Sequence, residues 1–108
     1  MPFEVLLTDD AAVDLAEIVD YVAAADGPIR AARVLDRIEQ SLDALHTLPQ
    51  RGTHPAELLA LGLREFREVF FKPYRLIYRV DGDRVLVYVI VDGRRDMQRL
   101  LMRRLLGA

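Results

Sequence analysis

The chain has no cysteine and no tryptophan, and only one serine and one lysine. Without cysteine there can be no disulfide, no zinc–thiolate centre and no thiol nucleophile. That absence fits a reducing compartment, and a cytoplasmic location is expected. Ser41, the lone serine, falls inside a helical pattern, which argues against a serine triad. His46 and His54 stand apart from each other and from any ligand-like cluster, so no metal and no cofactor are expected. The six glycines are isolated from one another, which leaves no loop to cradle a phosphate. No apolar run approaches the roughly 20 residues of a membrane span. The opening MPFEVLLTDD lacks a basic n-region, so no secretory signal and no membrane partner are expected.

What is present is a globular balance. Of 108 residues, 52% are hydrophobic and 30% charged, which suits a single domain over residues 1–108. The net charge of −2 conceals an asymmetry. Residues 1–63 carry four arginines against eleven acids, a net of −7, whereas residues 64–108 carry ten arginines and one lysine against six acids, a net of +5. Arginine is the fork-shaped donor that suits carboxylates and phosphates. A basic C-terminal half suggests contact with something acidic, although solvated surface charge explains the composition equally well.

Phe3 to Leu7 reads as a short first strand. Thr8 can cap a helix, with Asp9 and Asp10 at its positive dipole end, and Leu15, Ile18, Val19 and Val22 follow helical spacing. Asp26-Gly27-Pro28 ends that helix and opens the next, whose stripe is Ala31, Val34, Leu35, Ile38, Leu42 and Leu45. The short connection predicts an antiparallel helical hairpin. Acidic pairs such as Asp14 and Glu17 read as capping or solvated residues of these helices. Leu48 to Pro55 is a loop, and Ala56 to Leu61 can form a turn or two of helix. Then the period changes. Phe66–Phe71, Tyr74–Val80 and Arg84–Val91 read as three strands, with a two-residue Asp81-Gly82 turn between the last two. That turn sets Tyr78 opposite Val85. It gathers Tyr74, Leu76, Tyr78, Val80, Val85, Val87, Val89 and Val91 on one apolar face, under the helical hairpin. Arg75 and Tyr88 fall together on the other face. Asp96 can cap a last helix, Met97 to Leu106. That helix is basic and amphipathic, as membrane-surface helices are, but docking on the sheet explains its leucines more simply. The expected fold class is α+β: an N-terminal strand, an antiparallel helical hairpin on a small twisted antiparallel sheet, and a C-terminal helix.

The arginines carry the remaining chemistry. A guanidinium at Arg75, on a central strand, can hold a phosphate or stabilise charge developing during cleavage. The simpler alternative is an ion pair to Glu68 or Asp92. Arg94 and Arg95, on the turn after the last strand and near Arg99, form a candidate patch for a phosphate or an acidic partner.

Several motifs point the same way when taken in order. They are the early helix pattern of Ala12, Asp14, Leu15, Ile18 and Tyr21, the Leu48-Pro49 and Gly52 loop, and Leu63-Arg64-Glu65. They continue with Tyr74-Arg75-Leu76-Ile77-Tyr78-Arg79-Val80 and Asp92-Gly93-Arg94-Arg95-Asp96. Over nearly its whole length the chain resembles the RelE/ParE superfamily of toxins from type II toxin–antitoxin systems. The resemblance implies a growth-inhibiting cytoplasmic protein neutralised by a cognate antitoxin, with operator DNA reached only through that antitoxin. Two activities divide the family. RelE-like members cleave mRNA on the ribosome, and ParE-like members are associated with inhibition of DNA gyrase. Arg75 matches the strand arginine of the RNA cleavers and Arg95 the arginine after their last strand, so these two are the catalytic candidates. Arg64, Arg67, Arg75, Arg94, Arg95 and Arg99 are the candidates for contact with target or antitoxin. The lysines typical of the RNA cleavers are missing, since Phe66, Arg67 and Glu68 stand in their place. RelE's C-terminal tyrosine has no counterpart either. RNA cleavage needs a proton acceptor and a proton donor, and arginine serves poorly as both. Glu65 or Glu68 could act as a base in principle. The incomplete set favours the gyrase-directed activity, with a ribosome-dependent endoribonuclease as the alternative.

Overall fold

A computed structural model describes residues 2–107. The chain runs β1 (Glu4–Leu7), α1 (Asp9–Asp26), α2 (Pro28–Asp43), a 3-10 turn (Ala44–His46) and a short α3 (Ala56–Leu59). It continues through β2 (Phe66–Phe71), β3 (Tyr74–Asp81), β4 (Arg84–Asp92) and α4 (Met97–Leu106). The helix boundaries follow the cap residues. The Thr8 side chain accepts the Ala11 N–H at the start of α1, and the Asp96 side chain accepts the Arg99 N–H at the start of α4. Between α1 and α2, Gly27 takes φ +94° and Pro28 begins the next helix, where its missing N–H costs nothing.

The four strands lie in the order β1-β4-β3-β2. The meander β2-β3-β4 is antiparallel, but β1 pairs with β4 in parallel, Glu4 opposite Arg84 through Leu7 opposite Val87. The sheet is therefore mixed rather than wholly antiparallel. The helical hairpin lies between β1 and the meander in sequence, and the chain returns to lay β4 alongside β1 in the same direction.

The β3–β4 pairing departs from expectation in two ways. Asp81 pairs with Arg84, so the two-residue loop is Gly82-Asp83 and not Asp81-Gly82. Gly82 takes φ +63° while Asp83, like every other non-glycine among the described residues, stays at negative φ. This is the glycine-first pattern of a II′ hairpin loop. Moving the turn by one residue moves the pairing by two: Val80 faces Val85 and Tyr78 faces Val87. The side-chain faces survive that shift, because their period is two. The second departure does change faces. The register breaks between Ile77 and Tyr78, where Ile77 pairs with Val89 and leaves Tyr88 as an extra residue on β4. Beyond the bulge, Val89 and Val91 turn away from the helical hairpin and Ile90 turns toward it. Arg75 pairs with Val91, not with Tyr88.

Both faces of the sheet are covered. On one, Ala11, Val22, Val34, Ile38, Leu42 and Leu45 of the helical layer meet Leu76, Tyr78, Val85, Val87 and Ile90. On the other, Leu58 of α3 and Met97 and Leu101 of α4 meet Phe66, Ile77, Val89 and Val91. Arg37 adds a cation–π contact from α2 to Phe71, 5.0 Å from the ring centroid. No helix among the described residues is long and apolar enough to cross a membrane.

Candidate functional site

Alternation along β2 and β3 puts Glu68 and Arg75 on the α3/α4 side of the sheet, with Phe70 paired opposite Arg75. Pro55 ends the preceding loop and starts α3. Leu58 anchors that short helix in the second core cluster, which brings Glu57 over the strand arginine. The result is a closed ionic cluster. Arg75 Nε donates to Glu68 Oε1 at 2.7 Å, and its two terminal nitrogens donate to the two oxygens of Glu57 at 2.8 Å each. The Arg75 and Glu68 side chains are 12% and 6% exposed. The backbone is shaped to admit the arginine. A Cβ at Gly93 would come within 2.6 Å of Arg75 Cδ, so glycine is required for this approach.

These contacts set the electrostatics. The fork to Arg75 holds the Glu57 carboxyl below its ordinary pKa, against the opposing effect of burial. The Glu57 hydrogen bonds raise the Arg75 pKa, with Glu68 adding to the effect. The cluster carries two negative charges against one positive. Glu57 and Arg75 are each driven further from the neutral range where proton transfer is efficient. It can brace α3 against the sheet, but it presents no open guanidinium and no tuned acid or base.

The other arginines separate into two groups. Arg67 is turned inward, and its Nη1 donates to the carbonyls of Gly52 at 2.9 Å and Gln50 at 3.3 Å, fixing the loop before α3. Tyr78 holds the same loop from the core. Its hydroxyl donates to the Pro49 carbonyl at 2.8 Å and accepts the Gly52 N–H at 3.0 Å. Arg94 is exposed and folds back on Asp92, its Nε at 2.9 Å from Oδ1. That bond holds the Asp92 carboxyl below its usual range. Arg94 borders a groove of about 290 Å³ with Tyr21, Phe71 and Tyr74, where burial raises the Tyr74 phenol pKa. Arg64, Arg95 and Arg99 are exposed and form no ion pair among the described residues. Arg99 lies with Arg103 and Met102 along a shallow depression on α4, and Arg95 lies beside Asp14 and Glu17. The structure thus brings Arg94, Arg95 and Arg99 to the surface at one end of the sheet, and it separates them in role from Arg67 and Arg75.

Sequence reasoning missed three participants. Glu57 gave only a weak signal, being one acid in an otherwise apolar turn. Asp14 is buried, contrary to its reading as a solvated helix acid. Its Oδ2 accepts the Ile90 N–H at 3.1 Å, and Oδ1 accepts from Arg104. Arg104 also donates to the Tyr88 carbonyl at 3.1 Å. The pair therefore satisfies backbone groups on either side of the β4 bulge. The signal was available: Asp14 shares the inward face of α1 with buried Ala11 and Val22 and partly buried Ile18, where an acid needs a partner. His46 and His54 each bond a backbone carbonyl through Nδ1, to Phe3 and Phe66 respectively. Among the described residues no three His, Cys, Asp or Glu side chains gather as a metal site would need.

Comparison with known proteins places this arrangement. Residues 5–97 match the family described as "ParE toxin of type II toxin-antitoxin system, parDE". Toxin ParE3 of Caulobacter vibrioides is 31% identical over 93 residues, covering 86% of this chain and 89% of that protein. Among solved structures, the chromosomal ParDE toxin–antitoxin system from P. aeruginosa contains a similar chain. Its TM-score is 0.70 at 22% identity, covering 83% of this chain and 95% of that one. The RelBE2 toxin–antitoxin complex from Mycobacterium tuberculosis contains another, with a TM-score of 0.63 at 21% identity, covering 85% and 99%. The two structural likenesses bear on the fold alone; the sequence match across most of the chain goes further, and by it the protein belongs to the ParE toxin family of type II toxin–antitoxin systems.

Proposed function

We propose that this toxin is neutralised by a cognate antitoxin and, when free, inhibits DNA gyrase by binding it, without cleaving RNA. The observation that carries the reading is the closure of Arg75. An RNA phosphate reaching that guanidinium would have to displace Glu57 from two charge-assisted hydrogen bonds, each worth about 1.5–3 kcal/mol. It would then lie beside the buried Glu68 carboxylate, which repels it. Neither Glu57, with its lowered pKa, nor Arg75 is suited to move a proton near neutral pH. A protein surface makes no such demand. The exposed Arg64, Arg95 and Arg99, which form no ion pair among the described residues, can contact an acidic partner with the Arg75 cluster left intact. The names of the relatives support the antitoxin partner, because the matching solved chains come from toxin–antitoxin assemblies.

A plasmid supercoiling assay tests the target, using purified gyrase and the folded, antitoxin-free chain. Loss of supercoiling that the antitoxin reverses is the expected result. Unaffected supercoiling at toxin excess, with transcripts cut in arrested cells, would transfer the activity to the ribosome and make Arg75 and Arg95 the residues to test for catalysis.

A further inference from the structure

The sheet has two edges, and a loop residue bridges one of them at a single position. At the β2 edge, Thr53 forms a bridge to Glu68, with N–H to carbonyl distances of 3.1 and 2.7 Å in the two directions. The β1 edge differs. Glu4 and Thr8 donate their N–H groups to Asp83 and Val87 on the β4 side. In a parallel ladder the alternate residues then face outward. The first of these, Phe3, is satisfied on both sides by His46, whose carbonyl accepts the Phe3 N–H at 2.7 Å and whose Nδ1 bonds the Phe3 carbonyl at 2.6 Å. Val5 and Leu7 follow, and among the described residues nothing bonds to their outward main-chain groups. An open strand edge of this kind is a template for another strand.

A groove of about 420 Å³ runs along that edge. Val5, Leu7 and Leu42 form its apolar side. Asp36, Glu39 and Asp43 project from α2 as its wall. These three acids are exposed, and none forms an ion pair among the described residues. Their i, i+3, i+7 spacing aligns like charges on one helix stripe, which weakens a helix by a few tenths of a kcal/mol per pair. Asp43 also ends α2, whose last turn has no basic residue, so it meets the negative end of the helix dipole. Folding alone disfavours both choices.

We infer that the β1 edge accepts an extended segment of a partner polypeptide as a fifth strand, with basic residues at the alternate positions facing α2. Main-chain bonds to Val5 and Leu7 would supply the pairing. Lysine or arginine stems would cover Val5, Leu7 and Leu42, and their cationic heads would reach Asp36, Glu39 and Asp43. A second copy of this chain is a poor occupant, because two-fold pairing of β1 with β1 would set one acidic wall against the other. The inference is independent of the toxin's target.

The test uses the intact chain and two capped synthetic hexapeptides, one alternating lysine with valine and one alternating glutamate with valine. Amide exchange and amide chemical shifts are followed by NMR. The lysine peptide is expected to slow exchange at Val5 and Leu7, more weakly at higher salt, and the glutamate peptide to leave both amides unchanged. Replacing the wall by Asp36→Lys, Glu39→Lys and Asp43→Lys together should weaken the lysine peptide about tenfold or more, as three exposed ion pairs are lost. The acids make no contact that folding needs, so circular dichroism of the triple variant should match the parent. The inference is overturned if millimolar lysine peptide leaves Val5 and Leu7 unprotected, or if the triple variant binds it equally well.

Discussion

Truncating Asp14 should destabilise this toxin more than any other loss of a single carboxylate on α1. The expectation rests on where the carboxylate sits. It is 7% exposed and joins two parts of the fold. One oxygen accepts the Ile90 N–H next to the β4 bulge, and the other accepts from Arg104 of α4, whose side chain is 22% exposed. Asp14→Ala leaves a buried N–H without an acceptor, which costs about 1–3 kcal/mol. It also leaves a largely buried guanidinium without its partner, and breaking a buried pair from one side costs about 3–5 kcal/mol. Arg104 keeps the Tyr88 carbonyl and some solvent, so the total should fall near the low end, about 3 kcal/mol. Arg104→Met should cost a similar amount, about 3 kcal/mol, because it leaves the buried Asp14 carboxylate with only the Ile90 N–H. The double variant should be more stable than the two single losses together would allow, with a coupling of about 1–2 kcal/mol. Urea unfolding followed by circular dichroism measures all three, provided the slope with denaturant is unchanged. Additive losses within about 0.5 kcal/mol, or an Asp14→Ala loss below about 1 kcal/mol, would refute the reasoning.

The ionic cluster on the opposite side of the sheet yields two further tests. The Glu57 pKa is depressed in the folded state, so its contribution is present above the unfolded value of about 4.3 and is lost as the pH falls through the folded value. Glu57→Gln should therefore flatten the acid limb of stability below about pH 4.3, measured by urea midpoints across pH. Gly93→Ala should cost about 1–3 kcal/mol, since its Cβ would meet the Arg75 stem at 2.6 Å while that stem is held by three hydrogen bonds. An NMR titration should show Glu57 returning toward its ordinary pKa in the same variant. Tyr78→Phe should lose about 1–3 kcal/mol, because the Gly52 N–H and Pro49 carbonyl are left in the core without a partner.

The elements were legible in the sequence because local chemistry specifies them. Thr8, Gly27-Pro28 and Asp96 mark helix ends by their own hydrogen-bonding and backbone preferences, and the structure places the ends there. Strand pairing was less legible. A II′ loop and an I′ loop both begin from an Asp81-Gly82 sequence, and the choice between them depends on which residue takes the first positive φ. The bulge at Tyr88 was not legible at all. Val85, Val87, Val89 and Val91 alternate without interruption, and the opposite row of Leu86, Tyr88 and Ile90 is nearly as apolar. With both faces of β4 buried, the hydrophobic pattern places no constraint on where the face changes. What fixes it is tertiary: Asp14 and Arg104, 90 residues apart, satisfy the backbone that the bulge releases.

The same distance in sequence explains why the arginines suggested more surface chemistry than they supply. The acidic first half and basic second half look, in sequence, like a charged face awaiting a partner. In the fold, two of the partners are internal. Arg75 and Arg104 come from the basic half, and the carboxylates that bind them, Glu57 and Asp14, come from the acidic half. The asymmetry ties α3 to β3 and α4 to α1 across the sheet. Once these pairs, Arg67 on its loop carbonyls and Arg94 on Asp92 are set aside, the candidate contact set narrows to Arg64, Arg95 and Arg99. A charge count treats all of these as equivalent because it has no term for desolvation. An arginine bound to a buried carboxylate has already exchanged its water for a fixed partner, and an incoming anion must compete with that partner at close range. The exposed three compete only with solvent, so substitutions at Arg64, Arg95 and Arg99 should alter partner binding and its salt dependence while leaving the unfolding midpoint in place.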